Sequence, residues 1–214
     1  MYMRKGTVMN QKNVVTLVLC LVLAQSIPVN AVDFDDAGWF VGGHLGYVST
    51  DADGVFLIQD TENHEADVAG YGAYGGYNFT EWFGLEGAFL MTGDTSGDND
   101  GVANSDYFAT SFSPRFTIHL SPVFSIYAKA GLALISYDVE FDTDAPYEDG
   151  IDLSWSGVGT SFGVGGQFAV VNGIRIRIGY DVLSGTLTEN DFWLSMDDVD
   201  AKLEQVSFSM HYQF

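Results

Sequence analysis

Apolar and polar residues alternate with a period of two along much of this chain, the signature of strands with one oily face and one wet face. The pattern is cleanest at the carboxy end. There Val206, Phe208, Met210, Tyr212 and Phe214 alternate with Ser207, Ser209, His211 and Gln213. Read along the chain, the same period predicts eight strands over 39–49, 68–79, 82–92, 107–120, 124–137, 153–171, 174–183 and 201–214. Tight turns at Thr80-Glu81, Ser121-Pro122 and Asn172-Gly173 alternate with four long connections. Asn-Gly is a strong two-residue hairpin signal. No helix period and no solenoid-type repeat competes with this reading.

The two faces differ in kind. In the seventh strand Ile174, Ile176, Ile178, Tyr180 and Val182 alternate with Arg175, Arg177, Gly179 and Asp181. In the fourth, Phe108, Phe112, Phe116, Ile118 and Leu120 alternate with Ala109, Ser111, Ser113, Arg115 and Thr117. In the sixth, Val158, Phe162, Val164, Phe168 and Val170 alternate with Gly159, Ser161, Gly163, Gly165 and Gln167. One face is large and apolar and the other is small or charged, which suits lipid outside and a narrow interior packed by side chains. A soluble ligand-carrying barrel shows the reverse. The expected fold is therefore all-β: an eight-stranded antiparallel up-and-down transmembrane β-barrel, closed without a free edge. Trp39, Tyr77, Trp82, Trp155, Tyr180 and Tyr212, near strand ends, are expected to supply its aromatic girdles.

The amino end changes the picture of where this fold resides. Arg4, Lys5 and Lys12 precede an apolar stretch over 14–24 that is too short to span a bilayer. Val29-Asn30-Ala31 then offers small residues for cleavage, so 1–31 reads as a secretory signal and 32–214 as the barrel domain. Cys20 leaves with the signal, and Leu19 before it is a poor fit to a lipoprotein cleavage box. The whole chain carries 8 basic and 29 acidic residues. Removing three basic residues with the signal leaves 8 − 3 = 5 against 29, a net charge of −24. Such a balance excludes nucleic acid and anionic lipid as partners of a basic patch. No stretch after the signal approaches 18 apolar residues, so insertion into a membrane is expected through strands.

The remaining charges are the candidate chemistry. By the alternation, Arg115, Lys129, Arg175 and Arg177 point inward, as do Glu86 and Asp181. A cation on the lipid face near midplane costs about 2–4 kcal/mol, so four such residues belong inside. The inward ledger of four cations and two carboxylates describes either a structural plug or a gated polar path. Of the 29 acidic residues, 23 lie in the four long connections or their flanks and form a negative collar on the outer side. Asp51 and Asp53, and Asp98 and Asp100, resemble fragments of calcium loops, but neither pair has the downstream bidentate Glu in register. Solubility accounts for them without a metal. The sequon at Asn78-Phe79-Thr80 sits at an inner turn and is discounted. No cofactor is expected.

An enzyme reading needs a nucleophile and base near the outer leaflet. His44 points inward, His119 and His211 lie near the short-turn end, and His64 falls in an acidic connection. None has a Ser and a carboxylate at the right height, so an enzyme that modifies lipid A is the weaker alternative. The leading expectation is a structural or surface-interaction barrel, and the runner-up is a small gated ion pore. Its expected partners are outer-membrane lipid, lipopolysaccharide and divalent cations at the acidic connections, and it is expected to be a monomer.

With strands and turns in place, the chain resembles the OmpA-type eight-stranded outer-membrane barrel. The resemblance is carried by Gly72-Ala73-Tyr74-Gly75-Gly76-Tyr77-Asn78-Phe79 with Trp82-Phe83-Gly84-Leu85-Glu86, and extends to 39–47 and 126–131. It implies residence in the bacterial outer membrane, with short turns periplasmic and long connections outside the cell. It also implies that terminal Phe214 is the signal read by the barrel-assembly machinery. In that family inward charges form a switchable ion-pair network, in which Glu86 is similar to the central carboxylate and Arg115 and Arg177 to its competing cations. Gln167 stands where the family carries a second carboxylate. The sequence stops at Phe214, so the family's peptidoglycan-binding domain and its anchoring role are not carried over.

Overall fold

The computed structural model describes residues 37–53, 64–93, 104–141, 151–171, 173–189 and 198–214. The expected signal and its expected cleavage site, Cys20, Asp98, Asp100 and Asn172 lie outside the described residues. Eight strands follow one another: β1 (Gly38–Asp53), β2 (His64–Asn78), β3 (Phe83–Thr92), β4 (Asn104–Ser121), β5 (Phe124–Phe141), β6 (Ile151–Val171), β7 (Ile174–Glu189) and β8 (Val199–Gln213). Each pairs antiparallel with the next, and β8 returns to β1, so the sheet closes on itself. The closing seam runs from Phe40 opposite Gln213 to Asp53 opposite Asp200, and Phe214 N donates to Trp39 O at 2.8 Å. A closed ladder gives every strand a partner on both sides, which is what a backbone in hydrocarbon requires.

Local chemistry sets the short turns. Thr80 Oγ1 accepts from the backbone N–H of Trp82 and Phe83 at 3.4 and 3.0 Å, so residues 79–82 bridge β2 to β3 and β3 starts at Phe83. Ser121 Oγ accepts in the same way from Val123 and Phe124 before β5. At the third turn Gly173 has φ +79°, a backbone that side chains rarely adopt, and a Cβ there would press on the Tyr212 ring at 2.6 Å.

Most strands run further toward the long-connection end than the alternation predicts. β1 continues to Asp53, β5 to Phe141 and β7 to Glu189, while β2, β4, β6 and β8 begin at His64, Asn104, Ile151 and Val199. The extra length comes with an exchange of faces. On β8 the outward Val206, Phe208, Met210 and Tyr212 are apolar and exposed, while Gln205, Ser207, Ser209, His211 and Gln213 are buried inside. Above Gln205 the inner residues become Leu203, Ala201 and Val199, all buried, and the outer ones become Lys202 and Asp200, both exposed. β7 changes at Leu183 and Ser184, and β5 at Ile135 and Ser136. The backbone keeps its period of two while the oily set moves to the other face. This is the exchange expected of a barrel with lipid around its lower part and water around its upper part.

The outer apolar band fits a bilayer. Val206 to Phe214 spans about 27 Å along the strand, or about 20 Å of height at a tilt near 40°, against a band of about 25 Å in such barrels. Among the described residues no charged side chain sits on this band. Phe208, 48% exposed on it, is a sensitive probe. Phe208→Lys is expected to cost about 2–4 kcal/mol in vesicle-based unfolding, and Asp200→Lys close to nothing.

The interior departs from expectation in its upper half. It is not small or charged there but oily. Val48, Leu90, Tyr107, Ile135, Tyr137, Trp155, Leu183, Leu187, Val199 and Leu203 form one buried cluster. Trp155 is corrected in consequence: it is 1% exposed and stacks on Tyr137 at 5.7 Å, inside the barrel and not in a girdle. Tyr137 in turn stacks on Tyr107 at 4.4 Å. Trp39, Trp82 and Tyr212 do face outward near the short-turn end, where Trp39 meets Tyr77 edge-on at 5.1 Å.

Candidate functional site

Beneath the oily cluster the lumen turns polar, and its centre is Glu86. β3 places it opposite Gly76 of β2 and Ser113 of β4, both small, so long side chains from across the barrel reach it. It is 3% exposed. Lys129 Nζ of β5 meets Oε1 at 2.9 Å, Arg177 Nη1 of β7 meets Oε2 at 2.8 Å, and Arg115 Nη1 of β4 meets Oε2 at 3.4 Å. Lys129 also reaches Asp181 Oδ1 at 2.9 Å. Three strands thus converge on one carboxylate, and a second carboxylate shares one of the cations.

Two further donors of the cluster meet neutral groups. Arg115 Nη2 donates to Asn78 Oδ1 at 2.6 Å, and Arg177 Nε donates to Gln167 Oε1 at 3.0 Å. Where a carboxylate would add charge, Gln167 supplies only an acceptor. The surplus of positive charge is set against aromatic faces. Arg115 Cζ lies 4.6 Å from the Phe40 ring centroid, and Arg177 Cζ lies 5.3, 4.7 and 5.1 Å from Phe40, Tyr74 and Tyr127. Gly163 makes room for the pair beside it. A Cβ there would run into Asp181 Oδ1 and, at 2.6 Å, into Lys129 Cε.

A second polar group lines the β1–β2–β8 wall. Tyr74 Oη lies 3.0 Å from His211 Nδ1 and donates to Ser209 Oγ at 3.4 Å, and His44 stacks on Tyr74 at 6.2 Å. The cluster holds charge in a site of low dielectric, where pairing strengthens and an unpaired ion is costly.

Of the residues singled out from sequence, Glu86, Arg115, Lys129, Arg177, Gln167 and Asp181 come together. Arg175 is buried at 4% exposure, one inward position nearer the short-turn end and opposite His211 in the ladder. The fifth cation, Lys202, lies outside and pairs with Glu204 at 2.7 Å. Asp51 and Asp53 lie at the end of β1, beyond the strand end expected at 49, in register with Lys202 and Asp200. His64 likewise belongs to β2, opposite Ala52. Among the described residues no group of three metal-ligating side chains converges. Sequence reading missed Phe40, Asn78, Tyr74 and Tyr127. Their inward register was present in the alternation, but an aromatic or a turn residue carries no charge to draw attention.

No curated protein matches the chain. Among solved structures, Neisserial surface protein A is 12% identical with a TM-score of 0.61, covering 83% of this chain and 98% of that one. The outer membrane protein OprG from Pseudomonas aeruginosa is 13% identical with a TM-score of 0.55, covering 83% and 97%. The attachment invasion locus protein Ail of Yersinia pestis, in complex with the heparin analogue sucrose octasulfate, is 16% identical with a TM-score of 0.50, covering 82% and 99%. These likenesses are likenesses of fold. The family model for the OmpA-like transmembrane domain matches residues 34–213, and the chain belongs to that family of bacterial outer-membrane barrels.

Proposed function

We propose that this barrel is a closed scaffold with a non-conducting lumen, and that its work is done at the cell surface by its acidic long connections. The observation that carries this reading is the presence of two different barriers in series. Ions approaching from the short-turn end meet the Glu86 cluster, and those approaching from the other end meet Val48, Leu187 and Leu203, each 0% exposed. An oily constriction excludes ions because they cannot shed their hydration there. Both barriers sit on paired strands and not on loops. In this reading residues 1–31 direct export and the short turns face the periplasm. The acidic collar meets lipopolysaccharide through divalent cations, or a surface receptor of host or phage.

Planar-bilayer recording tests the reading. The wild-type barrel and Glu86→Ala are both expected to stay at background conductance, because removing the carboxylate leaves the oily layer intact. Discrete conductance steps in Glu86→Ala alone would make the ion cluster the gate, and the pore reading would replace the scaffold.

A further inference from the structure

We propose that the lumen binds a small monovalent anion of the size of chloride, in the cavity between the ion cluster and the oily cluster. The cavity has a volume of about 40 Å³. At roughly 10–15 Å³ for each water-sized sphere, it takes about three such spheres. A halide with a water fits, whereas a hydrated divalent oxyanion is too large. Leu90 and Leu183 line it on the oily side, and Arg177, Lys129, Glu86 and Asp181 lie on the other.

Charge and donors both point to an anion. Arg115, Lys129 and Arg177 against Glu86 and Asp181 leave 3 − 2 = 1 positive charge in the cluster. Both carboxylates on the wall are already engaged, Glu86 by three cations and Asp181 by Lys129, so their repulsion of an anion is offset. Two buried side chains on the cavity wall keep a donor without a protein partner: Arg177 Nη2 and Gln205 Nε2, on residues 2% and 4% exposed. His44 Nε2, also without a partner, lies on the same wall and donates or accepts according to its tautomer. Guanidinium and amide donors facing low-dielectric walls, with one charge to balance, suit a halide. This inference goes beyond the scaffold reading and holds whether or not the barrel conducts.

Diffraction at the bromine edge from barrel crystals grown with bromide as the halide tests it. The expected result is one anomalous peak in the lumen, within hydrogen-bond reach of Arg177 and Gln205, that is lost in Gln205→Leu. A wild-type lumen without an anomalous peak overturns the proposal, as does a peak that persists undiminished in Gln205→Leu. The wild-type crystal is decisive by itself should the variant fail to fold.

Discussion

Replacing Glu86 by alanine is expected to lower the stability of the folded barrel by about 3–5 kcal/mol, the cost typical of breaking a buried ion pair by removing one partner. The loss comes less from the bonds themselves than from what remains. Lys129, Arg177 and Arg115 all reach Glu86, and only Asp181, which touches Lys129, would be left to balance them. Burial keeps water from stepping in, since the Arg115 and Arg177 side chains are 4% and 2% exposed. Denaturant unfolding in phospholipid vesicles, compared at equal lipid, measures the difference. Combining Glu86→Ala with Arg177→Met should recover part of the loss, because the second change removes a cation whose one carboxylate partner was Glu86. A cost below about 1 kcal/mol, the range of solvent-exposed pairs, would mean that water reaches the cluster freely.

Trp155→Ala is expected to cost a similar amount, about 3–5 kcal/mol, for a different reason. The indole is 1% exposed and is the largest fully buried side chain among the described residues. Its removal leaves a void beside Tyr137 that strands fixed by ladders on both sides cannot collapse to fill. Trp39→Ala provides the control. Trp39 is 65% exposed on the outer face, where lipid chains fill the space that is vacated, so its loss should be markedly smaller. Vesicle unfolding of the two variants side by side gives the comparison. Equal losses would place Trp155 at the lipid boundary and dissolve the oily layer inside the barrel.

The lipid-solvated part of the fold is legible in the sequence because its two faces differ so sharply. Ile174, Ile176 and Ile178 against Arg175 and Arg177 leave no choice of face, since a cation in hydrocarbon costs too much. The upper strands are hard to read for the opposite reason. Above the bilayer an oily inner face and a polar outer face are what any soluble strand shows. Leu183, Gly185 and Leu187 against Ser184, Thr186 and Thr188 resemble the start of a polar connection. Trp155 illustrates the error that followed. Its place in the series Gly159, Ser161, Gly163 and Gln167 puts it inside, yet its size and position near a strand end suit a girdle. Within the site, the charged members were legible because charge forbids the outer face. Phe40, Asn78, Tyr74 and Tyr127 were not, because ring faces and amide oxygens earn their roles only once Arg115 and Arg177 are placed beside them.

The central claim is that the strands present oil to lipid below and enclose oil above, with the change near Glu204 and Gln205 on β8. Single cysteines along β8, each carrying a fluorophore in a barrel refolded into vesicles, test it most directly. Val206→Cys, Phe208→Cys and Met210→Cys are predicted to be quenched by brominated lipid. Asp200→Cys and Lys202→Cys should be quenched only by an aqueous reagent, and Leu203→Cys and Ser207→Cys by neither. Lipid quenching at Lys202→Cys, or aqueous quenching at Leu203→Cys as strong as at Lys202→Cys, would contradict the account.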